Sequence, residues 1–148
     1  MSLQVIFFDI GDTLIIKGTR EWVPEAKNVL ARLHHKGLRL GLISNTADLS
    51  RADFLKLLPD DFDLSLFEAS LIILSSEVHL KKPDPEIFKL ALKRAVAEPD
   101  RCLFCTEEVL HTLVAQTVGM RTARLQPPPM SDIGTLVELL VESGLLPA

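Results

Sequence analysis

The amino-acid sequence predicts an α/β fold of three layers, one parallel sheet with helices on both faces. Three observations carry this. Short runs that are apolar on both faces recur along the chain, as buried parallel strands do. Stretches with apolar residues at helical spacing lie between those runs. The first three runs each end on polar or acidic residues: Asp9, Ser44-Asn45 and Ser75-Ser76.

In order, Val5-Ile6-Phe7-Phe8 predicts the first strand and Leu38 to Ile43 the second. Leu71 to Leu74 predicts the third, Cys102 to Cys105 the fourth and Met120 to Leu125 a weaker fifth. Ala26, Val29, Leu30 and Leu33 form a helical stripe over 24–36, with Pro24 at its start and Gly37 as a stop. The stretch 46–58 reads as a second helix. Ile87, Leu90, Ala91, Arg94 and Ala95 repeat the stripe behind Pro85. Leu110, Leu113, Val114 and Thr117 do so ahead of Gly119. Ile133, Leu136, Val137, Leu140 and Val141 close the chain, with Ser131 or Asp132 as N-cap. Alternating strands and helices imply right-handed crossovers.

The 148 residues, 47% of them hydrophobic, suffice for one core, so residues 1–148 are expected to form a single domain. A net charge of −4 argues against nucleic acid or an anionic membrane as partner. No apolar run approaches the roughly 20 residues of a membrane span. Two cysteines make no disulfide scaffold, so a reducing cytoplasm is the expected compartment. Cys102 and Cys105, an odd number of positions apart on a strand, should face opposite sides and pack as apolar groups.

In such a sheet, ligands bind at the carboxyl ends of the strands. The first strand ends on Asp9, the second on Ser44 and Asn45, and the fourth on Thr106, Glu107 and Glu108. The third leads to Lys81 and Lys82, before Pro83-Asp84-Pro85. Carboxylates, a hydroxyl and a lysine would therefore converge on one edge. Converging carboxylates repel unless a cation intervenes, and Mg²⁺ held by oxygen ligands would also attract a phosphate.

Phe7-Phe8-Asp9-Ile10-Gly11-Asp12-Thr13-Leu14, Leu42-Ile43-Ser44-Asn45, Glu77 to Phe88 around Lys82, and Leu103 to Glu108 occur in the order of four motifs. Together they resemble the haloacid dehalogenase superfamily of phosphatases and related hydrolases, with its Rossmann-like core. The resemblance implies that Asp9 attacks phosphorus and forms an aspartyl-phosphate, later hydrolysed by water. It implies that Ser44, with Asn45 beside it, contacts a phosphoryl oxygen, and that Lys82 holds the nucleophile and the phosphate. Mg²⁺ would bind Asp9, the Gly11 carbonyl and Glu107.

The sequence also departs from that family. The general acid and base two residues after the nucleophile is replaced by Gly11, and an acid follows only at Asp12, which is expected to serve in catalysis. Thr106-Glu107 stands where glycine–aspartate is usual, and His111 where a second aspartate is usual. Only about 30 residues separate Thr13 from Ser44, which leaves no room for a sizeable cap. An open site suits a large, even macromolecular, phosphorylated substrate, or closure by a second copy of the chain. Arg20 and Trp22 are expected in the loop over it. Three functions remain open at this point. The first is a Mg²⁺-dependent phosphatase of reduced activity, poor towards sugar phosphates. The second is an impaired relative kept for binding or assembly. The third is a receiver-like switch, which Ser75-Ser76 at the end of the third run disfavours.

Overall fold

A computed structural model describes residues 2–148. Its five strands are β1 (Val5–Phe8), β2 (Arg39–Ser44), β3 (Ile72–Leu74), β4 (Cys102–Thr106) and β5 (Arg121–Arg124). They form one all-parallel sheet in the order β3-β2-β1-β4-β5. Strands alternate their side chains between two apolar layers. Ile6, Phe8, Leu40, Leu42, Leu103 and Cys105 pack on one face, and Val5, Phe7, Ile43, Ile73, Cys102 and Phe104 on the other. Helices α1 (Ala26–His35) and α6 (Leu136–Glu142) cover the first face. Helices α4 (Pro85–Ala95) and α5 (Val109–Thr117) cover the second. The three-layer expectation is met, no large cap interrupts it, and the two cysteines face opposite layers as expected.

Phe7 lies opposite Gly41 in the β1–β2 register. A Cβ at Gly41 would come within 2.6 Å of the Phe7 ring and 2.9 Å of the Leu71 carbonyl oxygen. The glycine therefore lets a large aromatic ring lie flat on the neighbouring strand. The strand order reverses at β1, whose neighbours β2 and β4 lie on opposite sides. That switch point opens a crevice beyond the carboxyl ends of β1 and β4.

Several elements differ from their sequence expectation. Of 46–58, only α2 (Arg51–Leu55) is helical, its first turn capped by Ser50 Oγ accepting from the Asp53 N–H at 3.1 Å. A one-turn helix, α3 (Ser75–Val78), follows β3 before Lys81 and Lys82. Helix α5 buries Thr112 and Ala115, while Leu110 and Leu113 are 56% and 53% exposed. It carries apolar residues on more than one side, and the small side chains are the ones turned to the core. Ile133 belongs to a separate 3₁₀ turn, Ile133–Thr135. Asp132 is the N-cap of that turn, its Oδ1 accepting instead from the Gln126 N–H, while Ser131 Oγ accepts from the Ile133 N–H. The N-cap of α6 is consequently Thr135.

Candidate active site

Asp9 is the first residue beyond β1, and its N–H still reaches the β4 carbonyl of Cys105. It is 9% exposed. Oδ1 accepts from Lys82 Nζ at 2.6 Å and from the Ile10 N–H at 2.8 Å. Oδ2 accepts from Thr106 Oγ1 at 3.1 Å. Two side chains distant in sequence and the adjacent main-chain N–H thus clamp one carboxylate. Lys82 is buried, and its ammonium also lies 5.5 Å from the centroid of the Phe104 ring. A buried lysine needs such partners, because desolvating an unpaired charge is costly.

Asn45 fixes Lys82. Its Nδ2 donates to the Lys82 carbonyl at 2.9 Å, and its Oδ1 accepts the Lys82 N–H at 2.8 Å. Both ends of the Asn45 amide, expected beside the substrate, face the backbone of the lysine loop. The β2 end is tied to the β3 end in a similar way. The Thr46 N–H donates to Ser75 Oγ at 2.7 Å, and the Ser76 N–H to Thr46 Oγ1 at 3.0 Å. Ser44 is 6% exposed, and no hydrogen bond engages its hydroxyl among the described residues. It is left available to a ligand.

Beyond Asp9, the chain turns tightly. The N–H groups of Thr13, Leu14 and Ile15 converge on the Ile10 carbonyl at 2.9–3.1 Å. Asp12 occupies the left-handed region at φ 57°, and its Oδ1 accepts the Lys17 N–H at 2.9 Å. Asp12, expected to serve in catalysis, thus uses one carboxylate oxygen to brace the loop. At Gly11, an added Cβ would meet only Lys17 Cγ, at 3.8 Å, so the site has room for a side chain the sequence does not supply.

Glu107 is half-buried, and its carboxyl titrates above the usual carboxylate range. Burial is the main cause, followed by Glu108, Asp9 and Asp12. No group of three or more His, Cys, Asp or Glu side chains is arranged to hold a metal among the described residues. Asp9 and Glu107 would be the side-chain oxygens available to a hard cation, with the Gly11 carbonyl as a main-chain donor. His111 is held below the usual histidine range by burial and by Lys82, and its buried Nδ1 has no partner. Burial pushes the Cys102 thiol up to about 11 and raises Cys105 further, so neither is a nucleophile.

Arg20 and Trp22 are bound elsewhere than the site. Arg20 Nε donates to the Leu58 carbonyl at 3.0 Å, and Trp22 Nε1 to Asp61 Oδ1 at 2.8 Å. Trp22 stacks on Phe62, with centroids 5.0 Å apart. Beside Asn45, a groove of about 1210 Å³ runs between the β2 and β3 ends, lined by Ser50, Arg51, Ser76, His79 and Lys81. Strand ends pointed to Asp9, Ser44, Lys82 and Glu107. Thr106 and Phe104 went unrecognised as partners of the nucleophile and the lysine; the signal was their place at the carboxyl end of β4.

The family model of haloacid dehalogenase-like hydrolases matches residues 3–105. A glyceraldehyde 3-phosphate phosphatase from Pyrococcus abyssi is 36% identical over 102 residues, 68% of this chain and 40% of the relative. Its counterpart from Pyrococcus furiosus is 32% identical over the same shares. The chain thus spans about 40% of the length of these curated relatives. Among solved structures, a haloacid dehalogenase family enzyme from Bacteroides thetaiotaomicron superposes with a TM-score of 0.73 at 17% identity, covering 93% of this chain and 99% of that one. A form of that enzyme in complex with magnesium and inorganic phosphate gives 0.67 at 16% identity, over 86% and 96% of the two chains.

Proposed function

Because the chain belongs to the haloacid dehalogenase-like hydrolases, we propose that it is a Mg²⁺-dependent phosphatase with Asp9 as nucleophile. The observation that carries this is the buried 2.6 Å pair between Asp9 and Lys82, set at the switch point beside the unengaged Ser44 hydroxyl. An ammonium there offsets the charge of an incoming phosphoryl group, and Ser44 Oγ donates to one of its oxygens. Asp9 attacks phosphorus, and the bond to the leaving oxygen breaks. Water then hydrolyses the aspartyl-phosphate.

Asp9, Glu107 and the Gly11 carbonyl offer the all-oxygen set that Mg²⁺ prefers. Glu107 is raised mainly by burial and further by Glu108, Asp9 and Asp12, and a cation beside it would favour its charged form. When bound, the metal neutralises phosphoryl charge. Gly11 provides no acid, and Asp12 is engaged by Lys17, so the leaving group departs without a protein proton donor. Substrates with good leaving groups, aryl and acyl phosphates, are favoured over alkyl phosphates. The groove beside Asn45 and the lack of a large cap suit a large leaving group. Two free, buried cysteines suit the reducing cytoplasm.

The test is a panel of p-nitrophenyl phosphate, acetyl phosphate and glyceraldehyde 3-phosphate, with Mg²⁺ or with EDTA. Turnover of the first two is expected only with Mg²⁺, and Asp9→Asn should reduce it by about 10³ or more. Comparable kcat/KM on alkyl and aryl esters would overturn the leaving-group argument. A second reading, an impaired relative kept for binding, is favoured by the small set of metal-ligating side chains. Absence of both turnover and Mg²⁺-dependent stabilisation would select it.

A further inference from the structure

Thr106 stands where a hydroxyl has a defined direction. It is fully buried, and its Oγ1 accepts the Glu108 N–H at 3.2 Å. Its single proton is then free to point at Asp9 Oδ2, 3.1 Å away. With Lys82 Nζ and the Ile10 N–H on Oδ1, the Asp9 carboxylate takes three donors. Hydrogen bonds to a carboxylate are strongest while it carries its full charge.

We propose that Thr106 is a positioning residue that makes Asp9 a weaker nucleophile but a better leaving group, shortening the life of the aspartyl-phosphate. The inference rests on the phosphatase reading above. In the first step, a carboxylate oxygen bonds to phosphorus, and the bond to the substrate oxygen breaks with its electron pair. That oxygen takes a proton from solvent. Charge leaves the carboxylate, so the Thr106 bond weakens towards the transition state and opposes the step. In the second step, a water oxygen bonds to phosphorus and its proton passes to solvent. The bond from phosphorus to the Asp9 oxygen breaks, returning its pair to the carboxylate. Charge now builds where Thr106 donates, and the bond assists departure. A group that binds one end state better than the transition state moves the two steps in opposite directions.

Rapid-quench trapping with radiolabelled acetyl phosphate separates the steps. Thr106→Val keeps the buried volume and removes the donor. Thr106→Ala gives a second background, with thermal unfolding as the check on folding in both. In either variant, phosphoenzyme breakdown should slow by about tenfold and the trapped fraction should rise, while formation becomes no slower. Thr106→Ser should behave as the parent chain. Equal slowing of both steps in folded variants would indicate mere structural damage and overturn the inference, as would unchanged breakdown. Absence of phosphoenzyme and of turnover in the parent chain would overturn the phosphatase reading, and this inference with it.

Discussion

The two ends of strand β2 are built on opposite principles. At the amino end, Arg39 uses its whole guanidinium. Nε and Nη2 donate to Glu68 at 2.6 and 2.9 Å, and Nη1 donates to the Ala95 carbonyl at 2.8 Å. At the carboxyl end, Ser44 keeps a free hydroxyl, and beyond the neighbouring strand ends, Glu107 with a raised carboxyl and His111 with an orphaned Nδ1 lie within the field of Asp9. A polar group left unpaired in a protein costs stability. Such groups therefore belong where a ligand will complete them. The amino end serves stability, and the carboxyl end holds bonding capacity in reserve.

The strongest way to break this contrast is to strike the buried ion pair of the carboxyl end, Asp9 with Lys82. Lys82→Met keeps a long side chain against Phe104 and removes the charge. It leaves Asp9 buried without its cation, which should cost about 3–5 kcal/mol of stability by denaturant titration. In a double-mutant cycle, Asp9→Asn in the Lys82→Met background should recover a large part of that loss. Additive losses would mean that the pair contributes nothing specific.

The reserve itself can be probed at Gly11. An added Cβ there meets only Lys17 Cγ at 3.8 Å, so a longer side chain is accommodated. Gly11→Asp should restore a proton donor beside the nucleophile and raise kcat/KM on alkyl phosphates by about 10². Aryl phosphates should gain much less, because their leaving oxygens need no proton. A uniform gain on both classes would argue that the new carboxylate acts on the metal instead.

How much of this was legible in the sequence follows from what sets each feature. Asp9 and Ser44 were legible because a parallel sheet delivers strand ends to one edge, and strand ends are visible as breaks in apolar runs; Lys82, eight residues past β3, was legible through the motif around it. The Asn45 clamp on Lys82 and the Asp12 brace on Lys17 were not. Each depends on which backbone group a short polar side chain meets after the loop has closed, and Asp12 takes a left-handed φ of 57° that its sequence does not announce. The outward turn of Leu110 and Leu113 was hidden for a different reason. A helix with apolar residues on two sides does not reveal by spacing which side the sheet will take.

The smallest expected effect is at the amino end, and its sign follows from Glu68. The Arg39 hydrogen bond and charge hold the Glu68 carboxyl below its ordinary value of 4.5. A carboxylate with a depressed pKa in the folded state stabilises the fold at pH above 4.5, and the contribution is lost as pH falls through the lower folded value. Both side chains are more than a third exposed, 36% and 39%, so solvent screening keeps the contribution under about 1 kcal/mol. The stability difference between the parent chain and Glu68→Gln should therefore be small and constant from pH 7 down to about 5, then shrink towards zero below 4.5. Kinetic constants at neutral pH should be unchanged, because the pair lies at the opposite end of β2 from Ser44. A difference that grew on acidification would show that Glu68 is not held by Arg39 in solution. A change in kcat would show that the two ends of the sheet are coupled, so that the carboxyl end does not hold its reserve independently of the amino end.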